Sequence, residues 1–159
     1  MSEQRVGIGV DAHAFSADAR LVLGGVELEG EGLAGHSDGD VIAHALIDAL
    51  LGAANLGDIG SLFPPDQQTP KGVSSLELLR DAYRRVRESG YELVNADCVL
   101  IGERPRIAAH RDEMARRLAD AMDVDPTRVA VRATTTDQLG FTGRGEGLAA
   151  QAVALLERK

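Results

Sequence analysis

The segment from Val41 to Ala54 is the most apolar in the chain and constrains the fold more than any other. Its apolar residues recur at the spacing of an α-helix, and Ser37 or Asp38 just before it is a suitable N-cap. His44 and Asp48 interrupt the segment, which is shorter than the about 20 apolar residues that a membrane-spanning helix requires. We therefore predict a helix of a globular protein that does not cross a membrane.

The rest of the chain alternates between strand-like and helical patterns without a strict repeat. A Gly-Gly pair inside an apolar stretch also predicts a hairpin or bulge. The predicted strands are residues 5–10, 93–101, 129–133 and 148–156, the hairpin is 21–28, the further helices are 75–88 and 107–122, and the loops are 29–39, 58–72 and 139–147. We therefore predict an α+β fold, a single domain over residues 1–159, in which a mixed β-sheet carries helices packed on one face.

The charge of the chain argues against nucleic-acid binding. The formal net charge is −8, whereas a nucleic-acid backbone must be neutralised by Lys and Arg. Three Phe, two Tyr and no Trp offer little surface for stacking bases. The first residues lack a signal-peptide pattern, and a lone cysteine, Cys98, fits a reducing compartment, so we expect a cytoplasmic protein.

Two histidines and an aspartate could form a metal site. Asp11 and His13 are two residues apart at the end of a predicted strand, so their side chains leave the same face. With His44 from the following helix they would make the three-ligand set of a catalytic zinc. Spacing alone favours the plainer alternative, a surface or capping His13 and a hydrogen-bonded core His44. Asp48, one turn after His44, could orient its imidazole or could be an ordinary helix-surface charge.

Three further segments have the composition of anion-binding sites. His36 and Ser37 precede the apolar helix, where free N–H groups favour anions, although that spacing alone favours a capping loop without a ligand. Residues 134–137, Thr-Thr-Thr-Asp, could surround phosphate oxygens and hold a divalent cation, although Thr also simply suits strands. Arg144 lies in a loop with alternating glycines, which allow close backbone approach. Together with the metal set, these segments indicate metal-assisted chemistry at a phosphoryl group.

Several stretches of the chain also match one known family. The matches cover nearly the whole chain and comprise residues 9–15, 34–65, 71–72, 76–80 and 133–147. The sequence resembles the 2-C-methyl-D-erythritol 2,4-cyclodiphosphate synthases of the non-mevalonate isoprenoid pathway. The resemblance implies a lyase that converts 4-diphosphocytidyl-2-C-methyl-D-erythritol 2-phosphate to the 2,4-cyclodiphosphate and CMP. It also implies a homotrimer with active sites between neighbouring subunits.

The resemblance also implies roles for individual residues. Asp11, His13 and His44 would bind Zn²⁺, and Asp137 would help to hold a second ion, Mg²⁺ or Mn²⁺. His36 and Thr135 would stabilise the transition state. The remaining positions that match substrate contacts are Ser37, Asp58, Ile59, Gly60, Phe63, Asp66, Gly102, Arg106, Ile107, Ala108, Thr134, Thr136, Phe141 and Arg144.

The chain departs from the family pattern at three places. Residues 65–67 are Pro-Asp-Gln where the family often has Asp-Thr-Asp, Asp137 replaces the commoner Glu, and Arg106 stands where Lys is usual. Arg can bind phosphate through two parallel hydrogen bonds, whereas Lys acts as a point charge. Two alternatives are a zinc-dependent phosphohydrolase, which would use the same ligands with water as the nucleophile, and a non-catalytic trimer that binds diphosphates, which would not need an open zinc position.

Overall fold

A five-stranded mixed β-sheet forms the frame of the structure, a computed structural model that describes residues 3–159. The strands are β1 (Gln4–Ser16), β2 (Leu21–Leu23), β3 (Val26–Leu28), β4 (Gly32–Leu33), β5 (Tyr91–Ile101), β6 (Val129–Thr134) and β7 (Gly147–Arg158). The main sheet has the order β4-β1-β7-β5-β6, and β2 and β3 form a separate hairpin. Among the main-sheet strands of residues 3–159, only β5 and β6 pair in parallel, and the connection between them contains a helix.

The helices pack on one face of the main sheet. They are α1 (Val41–Ala54), α2 (Ile59–Leu62), α3 (Ser75–Glu88), α4 (Arg111–Met122) and α5 (Gly140–Gly143), with 3₁₀ turns at Ala108–His110 and Pro126–Arg128. Helix α1 lies against β1 and β7, and α3 covers its outer side. This double cover explains why α1 is apolar on nearly all sides: 12 of its residues are buried.

Two glycines allow α1 to lie directly on β1. A Cβ atom at Gly7 would lie 2.0 Å from the Ala49 carbonyl oxygen, and one at Gly9 would lie 1.9 Å from that of Ala45. The backbones of strand and helix therefore approach more closely than side chains would permit. This close approach brings the first turn of α1 beside the residues that follow Gly9 in the strand.

The opposite face of the sheet is apolar and exposed. Side chains alternate along β1, so Val6, Ile8 and Val10, which alternate with the two glycines, point away from α1. Val6, Ile8 and Val10 are 70%, 59% and 62% exposed, and Val153 of β7 is 41% exposed beside them. An apolar row of this kind on a sheet face typically marks a surface that binds another protein.

Several elements confirm the predictions from sequence. Helix α3 has the predicted bounds of residues 75–88, and β7 includes the predicted strand 148–156. The Gly-Gly pair forms the predicted hairpin turn, with φ of +56° at Gly24 and +78° at Gly25. The α+β prediction, a mixed sheet with helices on one face, is confirmed. Within residues 3–159, no helix is long and apolar enough to cross a membrane.

Other boundaries differ from the predictions. Strand β1 does not end before Asp11, because its pairing with β7 continues to the Ala14–Gly147 pair. The N-cap of α1 is neither Ser37 nor Asp38 but Asp40, which is fully buried and accepts hydrogen bonds from the N–H groups of Gly24, Gly25 and Ala43. Burial and the neighbouring Asp38 raise the pKa of Asp40 to about 6.

The predicted helix 107–122 and all three predicted loops also differ in detail, and the loop 29–39 contains β4 because Gly32 and Leu33 pair with the end of β1. Residues 108–110 form a 3₁₀ turn, and the α-helix starts only at Arg111. The predicted loops 58–72 and 139–147 contain the short helices α2 and α5. A single helical turn has no apolar periodicity of its own, so sequence patterns do not reveal it.

Candidate metal centre

The side chains of Asp11, His13 and His44 converge at the contact between β1 and α1. Asp11 Oδ2 lies 2.8 Å from His13 Nε2 and 3.2 Å from His44 Nδ1, and the two ring nitrogens are 3.3 Å apart. One ligand atom from each residue lies within 4.8 Å of the others. Two imidazole nitrogens and one carboxylate oxygen are a donor set that suits Zn²⁺, and three protein ligands are typical of a catalytic zinc.

Backbone geometry accounts for the convergence. Asp11 and His13 follow Gly7 and Gly9 on the face of β1 that points to α1, and His44 lies in the first turn of that helix. His13 Nδ1 lies 2.6 Å from the Ala34 carbonyl oxygen, which can only accept a hydrogen bond. The His13 ring therefore donates from Nδ1, and with a metal in place of the hydrogen bond to Asp11 the lone pair of Nε2 would be directed at the metal.

The three groups perturb each other electrostatically. Burial opposes ionisation of Asp11, but hydrogen bonds from His13 and His44 outweigh it and lower its pKa to about 2. The hydrogen bond to Asp11 is the main reason why the pKa of His13 is raised. Asp11 is therefore ionised at neutral pH, as a metal-binding carboxylate must be.

The triad lines a cavity of about 230 Å³ together with several predicted substrate residues. The predicted residues that reach this cavity are His36, Ser37, Ile59, Gly60 and Phe63. His36 Nε2 donates to the Thr69 carbonyl oxygen at 2.6 Å, so the ring is held against the 64–73 loop. The structure thus brings one predicted transition-state residue and four predicted substrate contacts beside the candidate metal ligands.

Asp58 and Asp66, two predicted contacts of the erythritol portion, do not line this cavity. Asp58 caps α2, where its carboxylate accepts the Ser61 N–H at 2.8 Å, and Asp66 accepts the Gln68 N–H at 2.8 Å. Conversely, Thr69 and Leu78 line the cavity although the sequence did not single them out, and so does Pro65, the first residue of the departure from the family pattern. Tertiary packing brings Thr69 and Leu78 to the cavity, so no local sequence pattern identifies them.

A second cavity of about 380 Å³ lies at the ends of β5 and β6. It contains the predicted residues Gly102, Arg106, Ile107, Ala108, Thr134 and Thr135. Arg111, which sequence analysis did not identify, also lines it. A cavity with arginines, hydroxyls and apolar walls can accommodate a phosphorylated nucleoside.

The other predicted residues of the glycine-rich region lie outside both cavities. Thr136 Oγ1 donates to the Leu139 carbonyl oxygen at 2.6 Å, and Arg144 pairs with Glu146. Phe141 is 44% exposed. Asp137 is also exposed, adopts φ of +53°, and accepts a 3.4 Å hydrogen bond from Thr135 Oγ1.

The structure corrects the hypothesis that Asp48 orients His44. Asp48 Oδ1 instead accepts the Ile59 N–H at 2.7 Å and so joins α1 to the start of α2. His44 Nε2 faces two hydroxyls, Ser75 Oγ at 2.8 Å and Ser37 Oγ at 3.0 Å. Ser75 is 31 residues from His44 in the chain, so sequence spacing gave no signal for this contact.

Sequence comparison connects the site to proteins of known activity. The YgbB family profile matches residues 4–157. A 2-C-methyl-D-erythritol 2,4-cyclodiphosphate synthase from Rubrobacter xylanophilus is 57% identical over 162 residues, which cover 99% of this chain and 98% of that protein. The synthase of the same name from Moorella thermoacetica is 53% identical over 153 residues, with coverage of 96% and 94%.

Solved structures share the fold. The bifunctional IspDF from Campylobacter jejuni superposes with a TM-score of 0.96 at 43% identity, covering 100% of this chain and 43% of that longer one. IspF from Plasmodium falciparum, described as a CDP complex, has a TM-score of 0.87 at 30% identity and coverage of 100% and 99%. The similarity therefore extends over the full chain in both sequence and structure.

Proposed function

Because this chain belongs to the YgbB family of 2-C-methyl-D-erythritol 2,4-cyclodiphosphate synthases, we propose that it performs their cyclisation. The substrate is 4-diphosphocytidyl-2-C-methyl-D-erythritol 2-phosphate. An oxygen of the 2-phosphate attacks the β-phosphorus, the bond from this phosphorus to the α-phosphate oxygen breaks, and CMP leaves. The observation that carries the proposal is the convergence of Asp11, His13 and His44 on one cavity.

Asp11, His13 and His44 are the residues that would hold the zinc ion. Their two nitrogens and one oxygen fit its ligand preferences, and the cavity leaves room for a further ligand from the substrate. When bound, zinc would act as a Lewis acid that polarises a phosphate oxygen and orients the reacting group. Because the nucleophile belongs to the substrate, the protein itself needs no covalent intermediate.

The neighbouring side chains position the methylerythritol phosphate. Ile59, Gly60 and Phe63 form a wall that would exclude water from the sugar-phosphate portion. Ser37 and His36 present polar groups in the same cavity. We assign His36 and Thr135 to hydrogen bonds with the phosphate oxygens whose charge grows in the transition state. Asp58 and Asp66 remain predicted contacts of the erythritol portion.

The second cavity is assigned to the cytidine and its phosphates. Arg106 can bind a phosphate through paired N–H groups, and Gly102, Ile107 and Ala108 supply a narrow apolar wall. The description of the Plasmodium falciparum relative as a CDP complex supports a cytidine nucleotide as the ligand.

The glycine-rich region is assigned to the diphosphate. The carboxylate of Asp137 is the type of ligand that Mg²⁺ or Mn²⁺ prefers, so we propose that it helps to hold a second ion. Thr134 would donate a hydrogen bond to a phosphate oxygen, and Thr136 would do so after its hydroxyl turns away from the Leu139 carbonyl oxygen. Phe141 and Arg144 would complete the ligand contacts.

We further propose a homotrimer with active sites between neighbouring subunits. The exposed apolar row of Val6, Ile8 and Val10 supports this assembly, because a sheet face of this composition is stabilised when other copies cover it. Residues that lie outside both cavities of one subunit, such as Phe141 and Arg144, could then contact ligand bound beside a neighbour.

The activity is tested by incubating the purified protein with substrate, Zn²⁺ and Mg²⁺ and following the phosphorus signals by ³¹P NMR. We expect the cyclic diphosphate and an equal amount of CMP. His44→Ala abolishes both products, whereas His110→Ala, a matched change at a histidine outside both cavities, retains them. Linear phosphate products would instead indicate a phosphohydrolase, and zinc binding without turnover would indicate a diphosphate-binding protein.

A further inference from the structure

We propose that Ser75 and Asp38 are positioning residues that fix the tautomer of His44, so that its Nδ1 presents a lone pair to the metal. The inference rests on the zinc site of the proposed function and adds two residues that line neither of the two cavities described above. It concerns a hydrogen-bonded chain that runs from His44 Nε2 through the Ser75 hydroxyl to the Asp38 carboxylate.

The chain of hydrogen bonds is buried and tightly constrained. Ser75 is the first residue of α3 and is 0% exposed. Its Oγ lies 2.8 Å from His44 Nε2 on one side and makes a short hydrogen bond to Asp38 Oδ1 on the other. The Ser75 N–H also donates to Asp38 Oδ2 at 3.0 Å, so the same carboxylate binds both the backbone and the side chain of Ser75.

The number of available hydrogens determines the direction of each bond. Each oxygen of the Asp38 carboxylate already accepts a backbone hydrogen bond. Oδ1 accepts one from the Asp40 N–H at 3.1 Å, and Oδ2 accepts one from the Ser75 N–H. The carboxylate is therefore an acceptor, and the single hydrogen of the Ser75 hydroxyl goes to it. Ser75 Oγ then offers only a lone pair to His44, so His44 Nε2 must carry the hydrogen and donate.

A hydrogen on His44 Nε2 determines the state of the other ring nitrogen, Nδ1. In a neutral imidazole with a hydrogen on Nε2, Nδ1 has the lone pair. His44 Nδ1 is the atom that lies 3.2 Å from Asp11 Oδ2 and 3.3 Å from His13 Nε2. The chain through Ser75 thus makes the correct nitrogen available for the metal, and the carboxylate at its end increases the basicity of that nitrogen.

Ser37 provides a matched control, because its hydroxyl approaches the same nitrogen at 3.0 Å. Unlike Ser75, Ser37 is only half-buried, and the partners of its side-chain hydrogen bonds are His44, the Gly39 N–H and the Ser75 hydroxyl, none of which is a carboxylate. Its hydrogen is not committed to a charged acceptor, so its hydroxyl does not determine which nitrogen of His44 is protonated. Comparing variants of the two serines therefore distinguishes the effect of a hydroxyl close to His44 from the effect of the hydrogen bonds that link His44 through Ser75 to Asp38.

The first test measures zinc affinity by competition with a chromogenic chelator, without substrate. We expect Ser75→Ala to bind zinc about 10- to 100-fold more weakly than the unmodified protein, the usual effect of removing a partner of a metal-bound histidine. Ser37→Ala should bind zinc nearly as tightly as the unmodified protein. Unchanged affinity in Ser75→Ala, or an equal loss in both variants, would overturn the inference.

The second test reads the tautomer directly in zinc-loaded, ¹⁵N-histidine-labelled protein, which has only four histidines to assign. Zinc is present because Asp11 would otherwise compete for a hydrogen at Nδ1. We expect His44 to bind zinc through Nδ1, with an Nε2–H signal that exchanges slowly with water and exchanges faster in Ser75→Ala. Zinc bound through Nε2 would refute the tautomer. Failure of the unmodified protein to bind zinc at all would instead refute the proposed metal site.

Discussion

At the scale of single residues, Gly9 determines how closely the metal ligands can approach one another. Its missing side chain lets α1 lie on β1, and Asp11 and His13 follow it directly in the strand. His44 comes from the helix turn that this contact holds in place. The geometry of the triad therefore depends on a residue that has no functional group of its own.

We predict that Gly9→Ala destabilises the protein and weakens zinc binding. The new methyl group would lie 1.9 Å from the Ala45 carbonyl oxygen, a backbone atom that can move only with the helix. Overpacking of this kind costs about 1–3 kcal/mol, and more where backbone must shift. Thermal unfolding and chelator competition measure the two effects.

Gly52→Ala is the matched control for this substitution. Gly52 lies in α1, and a Cβ there would meet nothing within 4 Å. Alanine is the better helix former by roughly 0.5–1 kcal/mol, so this variant should be slightly more stable than the unmodified protein. Equal effects of the two substitutions would contradict the role assigned to Gly9.

At the scale of elements, a hydrogen bond couples α1 to α2. Asp48 projects from α1 and accepts the N–H of Ile59, the first residue of α2. Ile59 and Gly60 line the cavity beside the metal ligands, so this carboxylate positions a wall of the candidate substrate site. Its position one turn after His44 is compatible with a contact to the imidazole, but the carboxylate of Asp48 binds the start of α2 instead.

We predict that Asp48→Ala lowers kcat/KM roughly tenfold while leaving zinc affinity unchanged. Loss of a hydrogen bond to a charged acceptor costs about 1.5 kcal/mol, and about 1.4 kcal/mol is a factor of ten. Asp48→Asn retains an acceptor oxygen and should lose less activity. Steady-state kinetics and zinc competition make the comparison, and weaker zinc binding in Asp48→Ala would restore the hypothesis that this residue orients His44.

At the scale of the whole molecule, the two faces of the main sheet differ in their surroundings and in the role we assign to each. One face is covered by helices, and the candidate metal ligands lie there, where β1 contacts α1. The other face presents Val6, Ile8 and Val10 to solvent in the single subunit. Burial of this row between subunits would remove the largest exposed apolar side chains of β1 from water.

We predict that Ile8→Asp converts a trimer into smaller species. A carboxylate buried between subunits without a partner is strongly unfavourable, so association should weaken. Light scattering coupled to size exclusion should give three times 16.8 kDa for the unmodified protein and a lower mass for the variant. Ser89→Asp adds the same charge at an exposed position after α3 and should remain trimeric. A trimer that persists in Ile8→Asp would place the interface elsewhere.

Local patterns in the sequence determined the elements whose own residues specify them. The periodicity of α1 and α3 and the Gly-Gly turn between β2 and β3 required no information from distant residues. The metal triad could also be predicted from the sequence, since Asp11 and His13 share a strand face and the family resemblance adds His44 to them. These features depend on short spacings or on long matching stretches, and both are visible in one dimension.

Tertiary structure alone decided where the polar partners of those elements lie. Asp40, and not Ser37 or Asp38, caps α1 because the turn at Gly24 and Gly25 supplies two of the N–H groups that its carboxylate accepts. Strand β1 continues past Asp11 because β7 pairs with it, and Ser75 reaches His44 because α3 covers α1. The physical reason is the same in each case: a hydrogen bond depends on distance and direction in space, and between residues far apart in the chain it leaves no periodic trace in the sequence.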